Sequence, residues 1–239
     1  KFNHHGISPL YLAGHSLGEY SALVASGVIN LKDAACLVHE RGKLMTSAIL
    51  GMDTQMAAVL GLSDEQVISL CESAKETVGI VNPANFNSPG QVVIAGTALG
   101  VSEVLTAVEA LGKKAVLLKV SVPSHCELMN PASEALAEIL AKTTFNSAKI
   151  AVIQNRHACV HKATSEIKTA LTEQLSMPVQ WAKTMQVLAE KHIDLLIECG
   201  PGNVLSNLAK RQATPILALP TDKLARLEKL DEQLGAKHE

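Results

Sequence analysis

The stretch Leu12–Tyr20, with the sequence LAGHSLGEY, decides how this chain folds. Its centre, Gly14–Gly18, reads G-x-S-x-G between an apolar run and a helical pattern, which is the setting of a nucleophile elbow. Such a turn exposes its serine hydroxyl at a helix N-terminus, where free N–H groups favour negative charge. We therefore expect Ser16 to be an acyl-transfer nucleophile, the alternative being an ordinary helix-capping serine. A Cβ at either Gly14 or Gly18 is expected to crowd the turn.

The composition fits a compact protein of one or two domains and argues against several functional classes. The chain has 239 residues, of which 47% are hydrophobic and 18% charged, with a formal net charge of −2. This balance gives no reason to expect a nucleic-acid partner, and no apolar run is long enough to span a membrane. Five scattered cysteines without a C-x-x-C pair indicate reduced thiols and a cytoplasmic location.

The order of predicted elements indicates an α/β fold with two subdomains. Between about residues 54 and 120 the order is β-α-β-β-α-β, which predicts an inserted ferredoxin-like subdomain. Within it, the turn-rich stretch 82–90 (NPANFNSPG) is predicted to be a loop. Residues 1–53 and 121–239 are predicted to form an α/β-hydrolase-like subdomain, with a parallel sheet around the elbow and a charged helix at 221–235.

A serine nucleophile needs a general base, and position favours His125 among the histidines. This residue lies in a turn between a predicted strand and a predicted helix, where α/β proteins place catalytic groups. A histidine at that point could instead cap the helix. Both interpretations are open from position alone.

Arg41 is unusual because it lies on the apolar stripe of the helix that starts near Asp33. A guanidinium on a core-facing stripe requires an anion. That anion could be a protein carboxylate in a structural pair, or a substrate carboxylate bound in a bidentate manner.

One short segment contains metal-capable side chains. It is His157-x-Cys159-x-His161, and it has no matching second cluster, which favours a polar loop or a strand edge. We expect no metal site.

Six blocks, taken together, closely resemble the malonyl-CoA:acyl carrier protein transacylases, the acyltransferase family of fatty acid and polyketide synthesis. The blocks follow the family's order and extend over nearly the whole chain. They are GHSLGEYSA (14–22), ERGKLM (40–45), NFNSPGQVVIAG (85–96), VSVPSHCELM (120–129), PVQW (178–181) and ECGPGNVL (198–205).

The resemblance implies three central roles. Ser16 would be the nucleophile that becomes acylated, and His125 would be its general base. Arg41 would bind the malonyl carboxylate, which favours the substrate anion over the structural pair.

The resemblance also implies supporting roles. The backbone N–H of Leu17 would be one oxyanion donor, and the main-chain carbonyl of Gln174 would orient the histidine in place of a triad carboxylate. Asn85 and Gln91 lie in a family block beside the cleft and are expected to contact it.

The family differs from this chain upstream of the elbow. Its members begin with a strand and a Gly-Gln-Gly-x-Gln type of loop that supplies the second oxyanion donor, whereas no Gly-Gln-Gly occurs in this sequence. We therefore expect the chain to be part of a longer polypeptide whose front segment carries that strand and that donor.

The implied reaction is transfer of a malonyl group from malonyl-CoA to the phosphopantetheine thiol of acyl carrier protein, through a malonyl-serine ester. No cofactor is expected, the carrier protein is a transient partner, and we expect a monomer. Three alternatives are a serine acyl hydrolase or thioesterase, a discrete trans-acting acyltransferase of a polyketide pathway, and an inactive acyltransferase-like scaffold.

Overall fold

The computed structural model describes residues 8–120 and 122–223, together with 225, 226 and 228. The strands in this part of the chain are β1 (Tyr11–Ala13), β2 (Thr54–Leu60), β3 (Val81–Ser88), β4 (Gln91–Thr97), β5 (Lys114–Leu117), β6 (Ala151–Gln154), β7 (Cys159–Val160), β8 (Leu195–Glu198) and β9 (Leu217–Pro220). The α-helices are α1 (Leu17–Ala25), α2 (Leu31–Ala48), α3 (Asp64–Thr77), α4 (Ala98–Ala110), α5 (Asn130–Lys142), α6 (Thr164–Ser176), α7 (Trp181–Glu190) and α8 (Val204–Ala209). A 3₁₀ helix, Glu127–Met129, precedes α5.

The strands outside the middle region form two small sheets. In the first, β1 pairs in parallel with β6, and β6 pairs antiparallel with β7. In the second, β8 pairs in parallel with β9. The prediction of one parallel sheet is therefore wrong in part for the described residues. The physical reason is the tight turn after β6, closed by the Ala158 N–H on the Gln154 carbonyl, which reverses the chain and makes β7 antiparallel.

The middle region is a four-stranded antiparallel sheet in the order β3-β4-β2-β5. Along β2, successive side chains enter two different cores, as the period of two in a strand requires. Ala57 and Val59 pack with α3 and α4, whereas Met56 and Ala58 join the core around α1, α2, α5 and α6. The sheet is therefore covered on both faces.

The stretch 82–90, predicted as a loop, is mostly strand. β3 runs through it as Val81–Ser88, and only the Pro89–Gly90 turn connects it to β4. Register shifts after Pro83 and after Phe86 accommodate the turn-forming residues. The other edge of β3 is also held, since Phe86 donates its N–H to the Val179 carbonyl. Tertiary hydrogen bonds therefore overrode the local turn preference.

Local capping explains where several helices begin. The side chain of Asn30 accepts the Asp33 N–H at the start of α2, and Ser63 with Gln66 forms a capping box at the start of α3. A third apolar core joins β6, α7, α8 and β9 around the side chains of Trp181 and Met185. Of these helices, α2 carries a residue of the candidate site.

Two further predictions concern a membrane-spanning helix and the charged helix near the C-terminus. No helix in the described part of the chain has the length and apolar character needed to cross a bilayer. The charged helix predicted at 221–235 lies largely outside the described residues.

Candidate active site

Ser16 occupies the turn between β1 and α1 with a backbone conformation that L-residues rarely adopt. Its φ is 51° and its ψ is −109°, and its side chain makes no capping hydrogen bond to the helix. The interpretation as an ordinary capping serine therefore does not fit. Strained backbone of this kind clusters at functional sites, where the surrounding structure holds it in place. Here Ser16 donates its N–H to the Asn155 side-chain oxygen at 2.6 Å.

The two glycines of the elbow have different functions. A Cβ on Gly14 would lie 2.0 Å from the carbonyl carbon and the carbonyl oxygen of Gly18, so no side chain fits there. A Cβ on Gly18 would meet no atom within 4 Å. The expectation of crowding is thus confirmed for Gly14 and wrong for Gly18, because the close approach involves the backbone of Gly18 rather than its missing side chain.

His125 lies beside Ser16, in the turn before the 3₁₀ helix. Its Nε2 is 2.8 Å from the Ser16 Oγ, and its Nδ1 is 2.6 Å from the main-chain oxygen of Gln174. A carbonyl can only accept, so Nδ1 carries the proton and Nε2 is free to accept the Ser16 hydroxyl proton. The Gln174 carbonyl therefore selects the tautomer that a general base requires.

Burial keeps the His125 ring neutral. The residue is 2% exposed, and loss of hydration lowers its pKa to about 3 although the hydrogen bond to Gln174 raises it. The positive charge of Arg41 acts in the same direction as burial. The unprotonated, proton-accepting form is thus present throughout the physiological pH range.

Arg41 projects from α2 towards the Ser16 hydroxyl. It is 7% exposed, and its Nη2 donates to the Ser16 Oγ at 3.1 Å and, at a longer 3.5 Å, to the Gln174 side-chain oxygen. The guanidinium carbon lies 5.9 Å from the centre of the Tyr20 ring. Among the described residues, no carboxylate lies within ion-pair distance of Arg41. Burial lowers its pKa, so the guanidinium gains from any anion that enters beside Ser16.

Leu17 is the first residue of α1, and its N–H faces no intrahelical acceptor. Its side chain is 54% exposed at the entrance to the elbow. The backbone N–H next to the nucleophile is the position at which an oxyanion donor is needed.

Among the described residues, Asn85 and Gln91 form no hydrogen bond to Ser16, His125 or Arg41. Asn85 is buried in β3 and forms a backbone bridge to Val179. Gln91 accepts a hydrogen bond from Arg211 at 3.0 Å, which ties β4 to the end of α8. Within the same block it is instead Asn87 that reaches the elbow, through a 2.8 Å hydrogen bond between its Oδ1 and Nε2 of His15.

Two buried polar residues of the site were not anticipated. Asn155 directly follows β6, and Glu19 lies on α1; both are 0% exposed. The signal for Asn155 is its place at the carboxyl end of a buried strand that is parallel to β1. The signal for Glu19 is a carboxylate at helical spacing between Ser16 and the apolar Leu23.

The segment His157–His161 forms a surface cluster of polar side chains. The two imidazoles lie 3.2 Å apart through Nδ1 of His157 and Nε2 of His161, and each faces a glutamate on α6. Among the described residues, no group of three histidine, cysteine or acidic side chains is arranged to hold a metal ion.

The sequence of the chain matches a known family over most of its length. Residues 2–225 match the model described as the acyl transferase domain. The malonyl CoA-acyl carrier protein transacylase of Escherichia coli O157:H7 is 48% identical over 209 residues, 87% of this chain and 67% of that protein. The protein of the same name from Bacillus subtilis is 42% identical over 212 residues, 88% of this chain and 67% of the relative.

Solved structures share the fold. A crystal structure of FabD from Acinetobacter baumannii has a TM-score of 0.94 and 45% identity, and covers 99% of this chain and 76% of that one. A complex of a type II polyketide acyl-carrier protein with its malonyl-transacylase has a TM-score of 0.93 and 40% identity, with 97% of this chain and 75% of that one covered. With the serine, histidine and arginine brought together as described, these likenesses show that the chain belongs to the acyl transferase domain family.

Proposed function

We propose that this chain transfers a malonyl group from malonyl-CoA to the phosphopantetheine thiol of acyl carrier protein. The observation that carries the proposal is the convergence of two side chains on the Ser16 hydroxyl. The base His125 and the guanidinium of Arg41 both contact the Ser16 Oγ, at 2.8 Å and 3.1 Å. A nucleophile next to an anion-binding group, with no described carboxylate within ion-pair distance of that group, suits an acyl group that ends in a carboxylate.

The first half-reaction acylates Ser16. His125 removes the hydroxyl proton as Oγ attacks the thioester carbonyl carbon. The Leu17 N–H donates to the oxygen that becomes negative. When the tetrahedral intermediate collapses, the carbon–sulfur bond breaks and the CoA sulfur takes the proton from His125. The malonyl-serine ester keeps its carboxylate on Arg41.

The second half-reaction is the reverse of the first with a different thiol. The phosphopantetheine thiol gives its proton to His125 and attacks the ester carbonyl. Ser16 then leaves and regains the proton. Each proton is returned within the cycle. We propose that these side chains suffice and that no metal or prosthetic group takes part.

We further propose that residues 54–120 form a ferredoxin-like small subdomain inserted into an α/β-hydrolase-like large one. The strand order β3-β4-β2-β5, with α3 and α4 packed on one face, supports this division. A cytoplasmic location, supported by five free cysteines, and a monomer that meets its carrier protein transiently complete the proposal.

A groove next to the elbow supports the prediction that the chain is part of a longer polypeptide with a further strand. A cavity of about 580 Å³, lined mainly by apolar side chains, separates β1 from β8. In the described residues β1 pairs on one side with β6 and β8 on one side with β9, so each has an open edge. We propose that a strand of the same polypeptide fills this groove and carries the second oxyanion donor. Full transfer activity in a sample whose intact mass is 25.3 kDa would contradict this proposal.

The fate of the acyl group distinguishes the transferase from a hydrolase. Incubation with radiolabelled malonyl-CoA should label carrier protein bearing phosphopantetheine, with little free malonate when the carrier is absent. Release of malonate without carrier, at a rate matching transfer, would establish the hydrolase. The matched control is carrier protein without phosphopantetheine, which should stay unlabelled. Carriers from fatty acid and from polyketide synthesis should be compared, since one solved relative binds the latter.

A further inference from the structure

The inner side of the elbow holds a carboxylate that the proposed reaction does not use. Glu19 is 0% exposed, and its Oε2 accepts two hydrogen bonds. One comes from the Asn155 backbone N–H at 3.0 Å, and the other from the Gln174 side-chain Nε2 at 2.7 Å. Its second oxygen, Oε1, has no partner among the described residues.

The two residues that donate hydrogen bonds to Glu19 also hold the nucleophile. Asn155 accepts the Ser16 N–H on its Oδ1 and donates its Nδ2 to the Gly14 carbonyl. Gln174 donates its Nε2 to the Ser16 carbonyl at 3.2 Å as well as to Glu19. Both backbone polar groups of Ser16 are therefore held by side chains of residues that donate to Glu19, Asn155 through its backbone N–H and Gln174 through its side-chain amide.

Gln174 also connects Glu19 to the base. Its main-chain oxygen accepts the His125 Nδ1–H at 2.6 Å, while its side-chain amide is held by Glu19. An amide whose N–H₂ faces Glu19 must point its Oε1 the other way, and that oxygen faces Arg41. One carboxylate oxygen thus accepts hydrogen bonds from the two residues that contact Ser16 and His125.

We infer that Glu19 is a positioning residue, which holds Asn155 and Gln174 so that the strained Ser16 and the His125 ring stay within proton-transfer distance. Glu19 does not touch the reacting atoms; it acts through these two neighbours. A buried acceptor for two N–H groups is needed for this, and a negative charge is not. The inference rests on the proposed function only in taking Ser16 as the nucleophile.

Substitutions at Glu19 separate positioning from simple stabilisation of the fold. Glu19→Gln can place its amide oxygen where Oε2 lies and keep both hydrogen bonds. Glu19→Ala removes the acceptor, and Glu19→Asp withdraws it by one methylene. Ser26→Ala is the matched control, because it removes a buried hydrogen bond, from Ser26 Oγ to the Leu23 carbonyl, at the other end of the same helix.

The measurement is the rate at which a neutral alkyl fluorophosphonate labels Ser16, on protein shown to be folded by circular dichroism. The serine oxygen displaces fluoride from phosphorus, so the rate reports the nucleophile and its base whatever the natural acyl group is. We expect Glu19→Ala and Glu19→Asp to slow labelling by roughly tenfold to a hundredfold, as small misplacements of reacting groups do. Glu19→Gln should stay within about threefold of the unchanged protein.

The kinetic constants provide a second readout. With malonyl-CoA and carrier protein, Glu19→Ala should lower kcat while KM for malonyl-CoA stays the same. The inference would be overturned if Ser16 in a folded Glu19→Asp or Glu19→Ala variant were labelled at a rate within about twofold of the Ser26→Ala control. It would also be overturned if Ser16 in Glu19→Gln were labelled as slowly as in Glu19→Ala. If the unchanged protein is labelled by the fluorophosphonate but forms no malonyl-serine, the proposed function fails while the inference about Glu19 stands.

Discussion

The Ser16 hydroxyl meets two residues with different functions. His125 accepts its proton, and Arg41 provides a charge that no protein carboxylate neutralises within ion-pair distance in the described structure. The first residue makes the oxygen reactive, and the second restricts which acyl group is favoured beside it. A neutral acyl group would leave the buried guanidinium without an anion, which costs binding free energy.

Arg41→Ala should therefore reduce malonyl transfer by roughly 10² to 10³-fold, the usual effect of truncating one partner of a buried charge pair. Acetyl transfer should fall less, so that the acetyl-to-malonyl ratio of kcat/KM rises. Lys43→Ala is the control, because Lys43 is an exposed residue of the same helix, paired with Glu40. An unchanged ratio in Arg41→Ala would refute the carboxylate-binding role.

The pKa of His125 predicts an unusual pH profile. A histidine with its ordinary pKa of about 6.5 would lose roughly sixteenfold in base form between pH 6.5 and pH 5. Burial lowers the pKa of His125 to about 3, so the rate of Ser16 acylation should stay within about twofold between pH 6.5 and pH 5. Stopped-flow release of CoA measures this rate.

The lowered pKa of His125 also makes the folded protein less stable in acid. Because the unfolded chain binds a proton on this histidine below pH 6.5 and the folded chain does not, the stability contributed by neutral His125 is lost as the pH falls from 6.5 towards 3. Circular dichroism should therefore accompany the profile. An acidic limb centred near pH 6.5 in folded protein would show that the ring titrates normally.

The residues of the site differ in how far the sequence reveals them. Ser16 lies in a motif whose spacing has a mechanical reason, and Arg41 breaks an apolar stripe. Glu19 and Asn155 give weaker signals, because their function depends on contacts with partners far along the chain, 155 positions away for the Gln174 hydrogen bond to Glu19. Long-range partners of this kind are not encoded in local pattern.

At the scale of elements, the elbow depends on one close approach between β1 and α1. Gly14→Ala would place a Cβ 2.0 Å from the Gly18 backbone, and backbone cannot yield as a flexible side chain can. We expect a loss of about 3 kcal/mol in unfolding free energy or a failure to fold. Denaturant unfolding measures it.

Gly18→Ala is the natural comparison, because its Cβ would enter open space at the start of α1. The change should be neutral, or stabilising by up to about 1 kcal/mol from helix propensity. Equal destabilisation by the two substitutions would show that the close approach at Gly14 is not what constrains the turn.

The boundaries of the helices and strands show where local sequence patterns are sufficient to predict the structure. The elbow motif and the capping box of Ser63 and Gln66 can be recognised from neighbours within a few residues, and both are present in the structure, although distant Asn155 and Gln174 hold the Ser16 backbone. The extent of the strand β3 could not be predicted, because Pro83 and the asparagines around it favour turns locally. It pairs with β4 on one side and with Val179 on the other, and the contact with Val179 is not visible in the local sequence.

At the scale of the whole molecule, the site is assembled from distant parts of the chain. The N-terminus of α1 provides the nucleophile, α2 the guanidinium, the turn before the 3₁₀ helix the base, and α6 the carbonyl that orients the base. The core of α1, α2, α5 and α6 holds these four elements together. The chemistry is therefore a property of this helical core and the sheet it covers, rather than of one motif.

The central claim is that Ser16 carries the malonyl group between two thiols. The most direct test is mass spectrometry of the peptide that contains Ser16 after brief exposure to malonyl-CoA, and again after carrier protein is added. We predict a malonyl ester on Ser16 that disappears as the carrier acquires it, and no ester in Ser16→Ala. Transfer to the carrier at the full rate by Ser16→Ala, or an ester that the carrier cannot discharge, would contradict the account.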